Sequence, residues 1–159
     1  MLTITILCIG KIKESFFRDA IAEYRKRLSK YCKLIIQELP DEKIPDKLNS
    51  SLSESIKQKE CNLLKQHIAK DSFVFCLDLT GKEFSSEEFS TKLISLSLET
   101  SHITFIIGGS LGMSDDLLAL ANQKICFSKM TFPHQLIRVF LLEQIFRAFK
   151  IAHGETYHR

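Results

Sequence analysis

The chain has no apolar run approaching the length of a membrane span, no C-x-x-C pair, no G-x-G-x-x-G and no G-x-x-x-x-G-K-[ST]. Each absence closes off a class of function. Without a span of about 20 apolar residues there is no membrane helix to expect. The opening MLTITILCIG is apolar, but no basic residues precede it and it stops at Gly10-Lys11, which fits a first strand better than a signal peptide. Five cysteines, at 8, 32, 61, 76 and 126, are an odd, dispersed set, so neither a disulfide framework nor a zinc site is indicated and reduced cytosolic thiols are expected. The missing glycine fingerprint argues against a Rossmann cofactor site, and the missing phosphate loop against nucleoside triphosphate hydrolysis. At 159 residues and 45% hydrophobic content the chain suits one well-buried core, and a single domain over 1–159 is expected.

What is present alternates. Thr3 to Ile9 reads as a strand, Ser15 to Leu28 as a helix striped by Phe17, Ile21, Tyr24 and Leu28, and Lys33 to Leu39 as a second strand ended by Pro40. The polar stretch PDEKIPDKLNSS reads as an exposed loop. Ser51 with Glu54 suggests a capping box for a helix reaching about Lys70. Phe73 to Leu79 is an apolar, central strand interrupted by Asp78, with Gly81 as the turn after it. Asp78 suits either a ligand hydroxyl or the capping of a neighbouring loop. Ser85 and Glu88 then cap a helix bearing Phe89, Leu93 and Leu96 inward. A strand from Ile103 to Ile107, a short helix from Ser114 to Ala121, a strand from Lys124 to Phe127 and a long helix with Pro133 in its first turn complete the chain. Five strands interleaved with five helices imply an α/β fold, a mainly parallel sheet covered on both faces. Ligands in such sheets sit at the carboxyl ends of strands, near a change in strand order. Leu77, Gly108 and the FSKMTF loop belong there.

Charge is unevenly spread. Between Lys11 and Lys33 there are eight basic and three acidic residues, so that segment carries +5 and the rest −2. Such a face either binds phosphates or is simply solvated. The last helix is the reverse case. With about 100° per residue its apolar arc covers roughly 260°, more than burial on one sheet needs. It is therefore expected to join a homodimer interface as well as cover the sheet. Arg138 falls inside that arc, where a guanidinium is costly unless paired. It suits an ion pair across a dimer, an RNA phosphate or a target base. After Gly154 the tail ends Tyr157-His158-Arg159, too polar for a core. His134, at the helix start, suits either structure or proton transfer.

FIIGGSLGM, FSKMTFPHQLIRV, the terminal YHR and, upstream, CLDLTGK together closely resemble one family across the whole chain. These are the small bacterial SPOUT-class methyltransferases that modify N3 of a pseudouridine in 23S ribosomal RNA. The resemblance implies a C-terminal trefoil knot, a homodimer, a cytoplasmic location and no membrane, and methyl transfer from S-adenosylmethionine without a metal. It implies that Leu77, Gly108, Phe127, Ser128, Lys129, Met130, Thr131 and Phe132 hold the donor. The side chains of Leu77, Met130 and Phe132 also suit ordinary core packing. For the RNA side it points to Tyr157 stacking on a base, His158 taking a proton and Arg159 fixing the nucleotide, with Arg138 a further candidate. It tips the basic segment toward RNA, and the ribosome becomes the expected partner. A nucleotide-using small-molecule enzyme and a non-catalytic ribosome-binding protein are the two alternatives.

Overall fold

The computed structural model describes residues 1–158, and Arg159 lies outside them. Five strands form one parallel sheet in the order β2-β1-β4-β3-β5. They are β1 (Thr3–Ile9), β2 (Lys33–Leu39), β3 (Phe73–Glu83), β4 (His102–Ile107) and β5 (Gln123–Cys126). The helices between them are α1 (Ser15–Leu28), α2 (Ser50–Gln66), α3 (Ser86–Glu99), α4 (Asp115–Leu120) and α5 (His134–Ala152).

Alternation along the strands builds two cores. Ile4, Ile6 and Cys8 of β1 and Ile103, Phe105 and Ile107 of β4 face α1, α3 and α5. Leu7, Ile9 and Ile106 face α2 and α4, through Cys61, Leu64 and Leu117. The period of two in the strands thus puts helices on both faces, as the pattern predicts. Phe75 and Phe105 stack at the centre with ring centroids 4.9 Å apart, a pairing worth roughly 0.5–1.5 kcal/mol beyond the area it buries. All five cysteines are free and buried. Burial pushes the thiols of Cys8, Cys32 and Cys76 up to about 12.

Several expected boundaries move. The cap of α2 is Asn49, whose side chain accepts from Leu52 N at 2.7 Å, rather than Ser51 with Glu54, and the helix ends at Gln66 rather than near Lys70. Asparagine is as good an N-cap as serine, and its position one residue before the first helical turn decides between them. Ser85 and Glu88 do form the reciprocal capping box of α3. Gly81 is not a turn after a strand that stops at Leu79. β3 continues to Glu83, shifting register against β5 between Leu77 and Lys82. A Cβ at Gly81 would lie 2.6 Å from the backbone of Ile125, so the glycine is there to let two strands approach. β5 begins one residue early and ends at Cys126, and Pro133 is the N-cap of α5 rather than within its first turn.

The broad apolar arc of α5 has an explanation inside one protomer. α5 is the middle of a three-helix layer, packed against both α1 and α3 as well as the sheet. Leu141, Leu142, Ile145, Phe146, Ala148 and Phe149 are absorbed there. What remains uncovered is its N-terminal half, where Leu136 and Val139 are half-buried and Phe140 is exposed.

Candidate active site

A cavity of about 390 Å³ opens at the carboxyl ends of β3, β4 and β5, within the size range of small-molecule sites, roughly 300–1,000 Å³. Three loops wall it. Leu77 to Leu79 come from β3, Gly108 to Met113 from the end of β4, and Cys126 to Phe132 from the end of β5, with His134 and Ile137 of α5 closing one side. In the strand order, β1 hands the chain to one side and β4 to the other, so the cavity sits beside the switch in direction where ligand crevices form.

The glycine turn is shaped by its own packing. Gly112 has φ +80°, a conformation that a side chain rarely adopts. Its N–H donates to Gly109 O at 3.0 Å, closing the turn. A Cβ at Gly108 would lie 2.9 Å from Met113 Cγ and 3.1 Å from Gly112 O, so the close approach this residue makes is to its own turn. At Gly109 the obstacle is Glu60 Oε2, 2.8 Å from where a Cβ would sit. The other loop is tied by short-range bonds: Met130 N donates to Ser128 Oγ at 3.0 Å and Cys126 Sγ to Ser128 O at 3.0 Å. Phe132 meets Phe140 edge-on at 5.3 Å, anchoring the loop to α5.

The cavity is lined mainly by apolar side chains, backbone and hydroxyls. Leu77, Gly108, Phe127, Ser128, Met130, Thr131 and Phe132 all border it, whereas the side chain of Lys129 does not. Asp78 borders it too, with its carboxylate engaged by Thr80: the Thr80 N–H donates at 3.0 Å and the hydroxyl donates to the same oxygen. That is the loop-capping arrangement. His134 is the imidazole on the rim. Burial, and next the positive charge of Arg138, hold its pKa below the ordinary histidine value.

Arg138 lies outside this cavity, 1% exposed. Its Nη2 donates to Ile9 O at 2.8 Å and Gly10 O at 2.9 Å, and its Nη1 to Glu38 Oε1 at 3.3 Å. The ion pair therefore forms inside one chain rather than across a dimer, and it clasps the ends of β1 and β2.

Tyr157 and His158 are held elsewhere. Tyr157 OH donates to Glu143 Oε2 at 2.7 Å, an oxygen that also receives Tyr24 OH at 2.6 Å. Arg147 binds the other oxygen at 2.6 and 2.9 Å and lies over the Tyr157 ring at 4.7 Å. His158 bridges Arg147 Nη1 at 3.3 Å through Nδ1 and Glu87 Oε1 at 2.7 Å through Nε2. Since arginine only donates, this geometry selects the tautomer with its proton on Nε2. Neither Tyr157 nor His158 borders the cavity of its own chain.

Sequence reasoning missed Glu60. It is 5% exposed; Oε1 accepts from Glu42 N at 3.1 Å, and among the described residues Oε2 has no partner. Burial raises its pKa. The signal was there: Ile56, Glu60 and Leu64 are spaced by four, so the carboxyl falls on the buried stripe of α2.

A family described as "Predicted SPOUT methyltransferase" matches residues 2–158. The "Ribosomal RNA large subunit methyltransferase H" of Clostridium acetobutylicum is 54% identical over 159 residues, covering 99% of this chain and all of that one. The protein of the same name from Clostridium botulinum strain Kyoto is 57% identical over 161 residues, with the same coverage. Among solved structures, a probable methylase family protein from Haemophilus influenzae Rd KW20 superposes with a TM-score of 0.52 at 14% identity, over 98% of this chain and 70% of that one. That likeness speaks for the fold. With a family match and close relatives both running end to end, this chain belongs to the SPOUT methyltransferases.

Proposed function

We propose that this methyltransferase uses S-adenosylmethionine to methylate N3 of a pseudouridine in 23S ribosomal RNA, acting in the cytoplasm as a single-domain, C-terminally knotted homodimer on the assembled ribosome. The observation that carries the reading is the cavity at the ends of β3, β4 and β5, whose walls are the segments through which the family resemblance runs. Its apolar lining, beside backbone left uncovered by the glycine turn, fits an adenosyl group. Leu77, Met130 and Phe132 offer apolar surface for the adenine faces, and main-chain groups of the Phe127 to Phe132 loop, Lys129 included, offer polar contacts to its edge. Gly108 keeps the turn tight beside them.

S-adenosylmethionine supplies an electrophilic methyl group on a sulfonium. In the transfer the nitrogen lone pair forms the new N–C bond, the C–S bond breaks and the imide proton leaves to a base, so no metal is needed. The chain's own work is alignment, which can be worth roughly 7–11 kcal/mol, and acceptance of that proton. His158 is the proposed acceptor, through the Nδ1 lone pair that Arg147 holds within one chain and must release, with Tyr157 stacking on the base and Arg159 fixing the nucleotide. Arg138 supports the site by holding the ends of β1 and β2.

One chain does not bring Tyr157 or His158 to its own cavity, which supports a site completed by the partner's tail. The apolar surface proposed for that partner lies at and beside the cavity: Met130 is 74% exposed and Leu79 59%, and Phe140, 37% exposed, packs against Phe132 next to them. Transfer of labelled methyl to ribosomes from cells lacking this gene, with free ribosomal RNA alongside, tests the reading. Incorporation at one pseudouridine, greater on ribosomes than on free RNA, is expected. No incorporation by a folded dimer would overturn it.

A further inference from the structure

The cavity and tail leave the basic segment between Lys11 and Lys33 without a role. Its side chains are not spread evenly over the surface. Lys11, Arg18 and Arg25 line one groove of about 420 Å³ between α1, β2 and the segment that follows β1. Arg18 and Arg25 are seven residues apart, two turns on one face of α1, so their stems run roughly 10 Å along the groove. Its floor is apolar, formed by Ile12, Ile21 and Ile36.

Two features separate this groove from an ordinary solvated helix face. First, its cations are uncommitted. Among the described residues Lys11, Arg18 and Arg25 make no ion pair, whereas the neighbouring Arg27 is held by Glu23 at 2.8 Å. Second, the one acid in the groove is already engaged. Glu38 Oε1 takes Arg138 Nη1 at 3.3 Å and Ile12 N at 3.4 Å. The result is a concave, positively charged surface with a low-dielectric floor, which strengthens attraction for a polyanion. Its end at Lys11 and Glu38 also opens at the working edge of the sheet. The ends of β1 and β2 are two to three strands from β3, roughly 10–15 Å at ordinary strand spacing. That is the reach of the backbone flanking a nucleotide seated at the cavity.

We propose that the groove lined by Lys11, Arg18 and Arg25 binds the sugar-phosphate backbone of the RNA substrate beside the target nucleotide, setting affinity and register while the cavity and tail carry out the transfer. This rests on the RNA methyltransferase reading above. The groove makes phosphate contacts and reads no base.

The test uses the full-length dimer carrying Lys11→Ala, Arg18→Ala and Arg25→Ala together. A control triple, Lys47→Ala, Lys59→Ala and Lys70→Ala, removes the same charge from exposed positions in the loop before α2, on α2 and just after it. At physiological salt the groove variant should raise KM for ribosomes on the order of 10- to 100-fold, and the slope of log affinity against log salt should fall by about 2–3. Donor affinity and the thermal midpoint should be unchanged, and the control should stay near wild type. An unchanged KM and salt slope, or an equal loss in the control, would overturn the groove. Wild-type transfer measured in parallel tests the parent reading on its own; its absence would overturn both.

Discussion

The cavity and the tail are opposites in construction. The cavity is backbone and apolar side chain, assembled from three strand ends by tight local turns. The tail is a polar network in which two tyrosines and Arg147 converge on Glu143, and His158 spans Arg147 and Glu87. Among the described residues the side chains at the cavity that can take a proton are Asp78, whose carboxylate Thr80 already engages, and His134 at the rim, whereas Tyr157 and His158 of the tail do not border it. A methyl transfer to a ring nitrogen needs both a shaped donor site and a proton acceptor, and the contrast supports the proposal that two chains contribute to each reaction centre.

The comparison breaks most severely at Gly108. A Gly108→Val side chain must displace Met113 or Gly112, and a misplacement of about 1 Å near a reacting centre can cost ~10²-fold in rate. Loss of measurable donor binding by calorimetry is expected, with a stability loss of about 1–3 kcal/mol. His158→Ala sharpens the contrast from the other side. Donor affinity should hold while kcat falls by roughly 10²–10⁴, the usual contribution of a positioned base.

A smaller effect is expected at Glu60, behind the glycine turn. Burial raises its folded pKa above the ordinary carboxyl value. Such a group favours the folded state most at low pH, where it is protonated in both states, and that contribution is lost as pH rises through the folded pKa. Glu60→Gln keeps the acceptor for Glu42 N without the charge. It should therefore raise Tm by roughly 2–4 °C at pH 8, and the gain should vanish as pH falls toward the carboxyl range. Thermal melts across that range check it.

The elements easiest to read were those with one strong signal. β1, α1 and β2 lie where periodicity put them, because each is bounded by an unambiguous break. The start of α2 was misread because Ser51 with Glu54 matches the capping-box pattern, whereas the cap is Asn49, inside the stretch read as loop, accepting from Leu52 N. Gly81 was misread because its reason is contact with Ile125, far away in sequence. The same division holds at the site. The glycine turn and the Phe127 to Phe132 loop are local features and could be read. The clasp of Arg138 on Ile9 and Gly10, and the burial of Glu60 behind Gly109, depend on which strand ends meet. The width of α5's apolar arc suggested a second packing partner, and α1 and α3 supply most of it.

The most direct test of a shared centre mixes two inactive variants, Gly108→Val and His158→Ala, each confirmed as a folded dimer, then exchanges subunits and assays transfer to ribosomes. If cavity and tail come from different chains, each mixed dimer has one intact centre, and activity should recover to about a quarter of wild type under random pairing. If both come from one chain, every centre in the mixture stays defective. Activity that remains at the level of the separate variants after confirmed exchange would contradict the account.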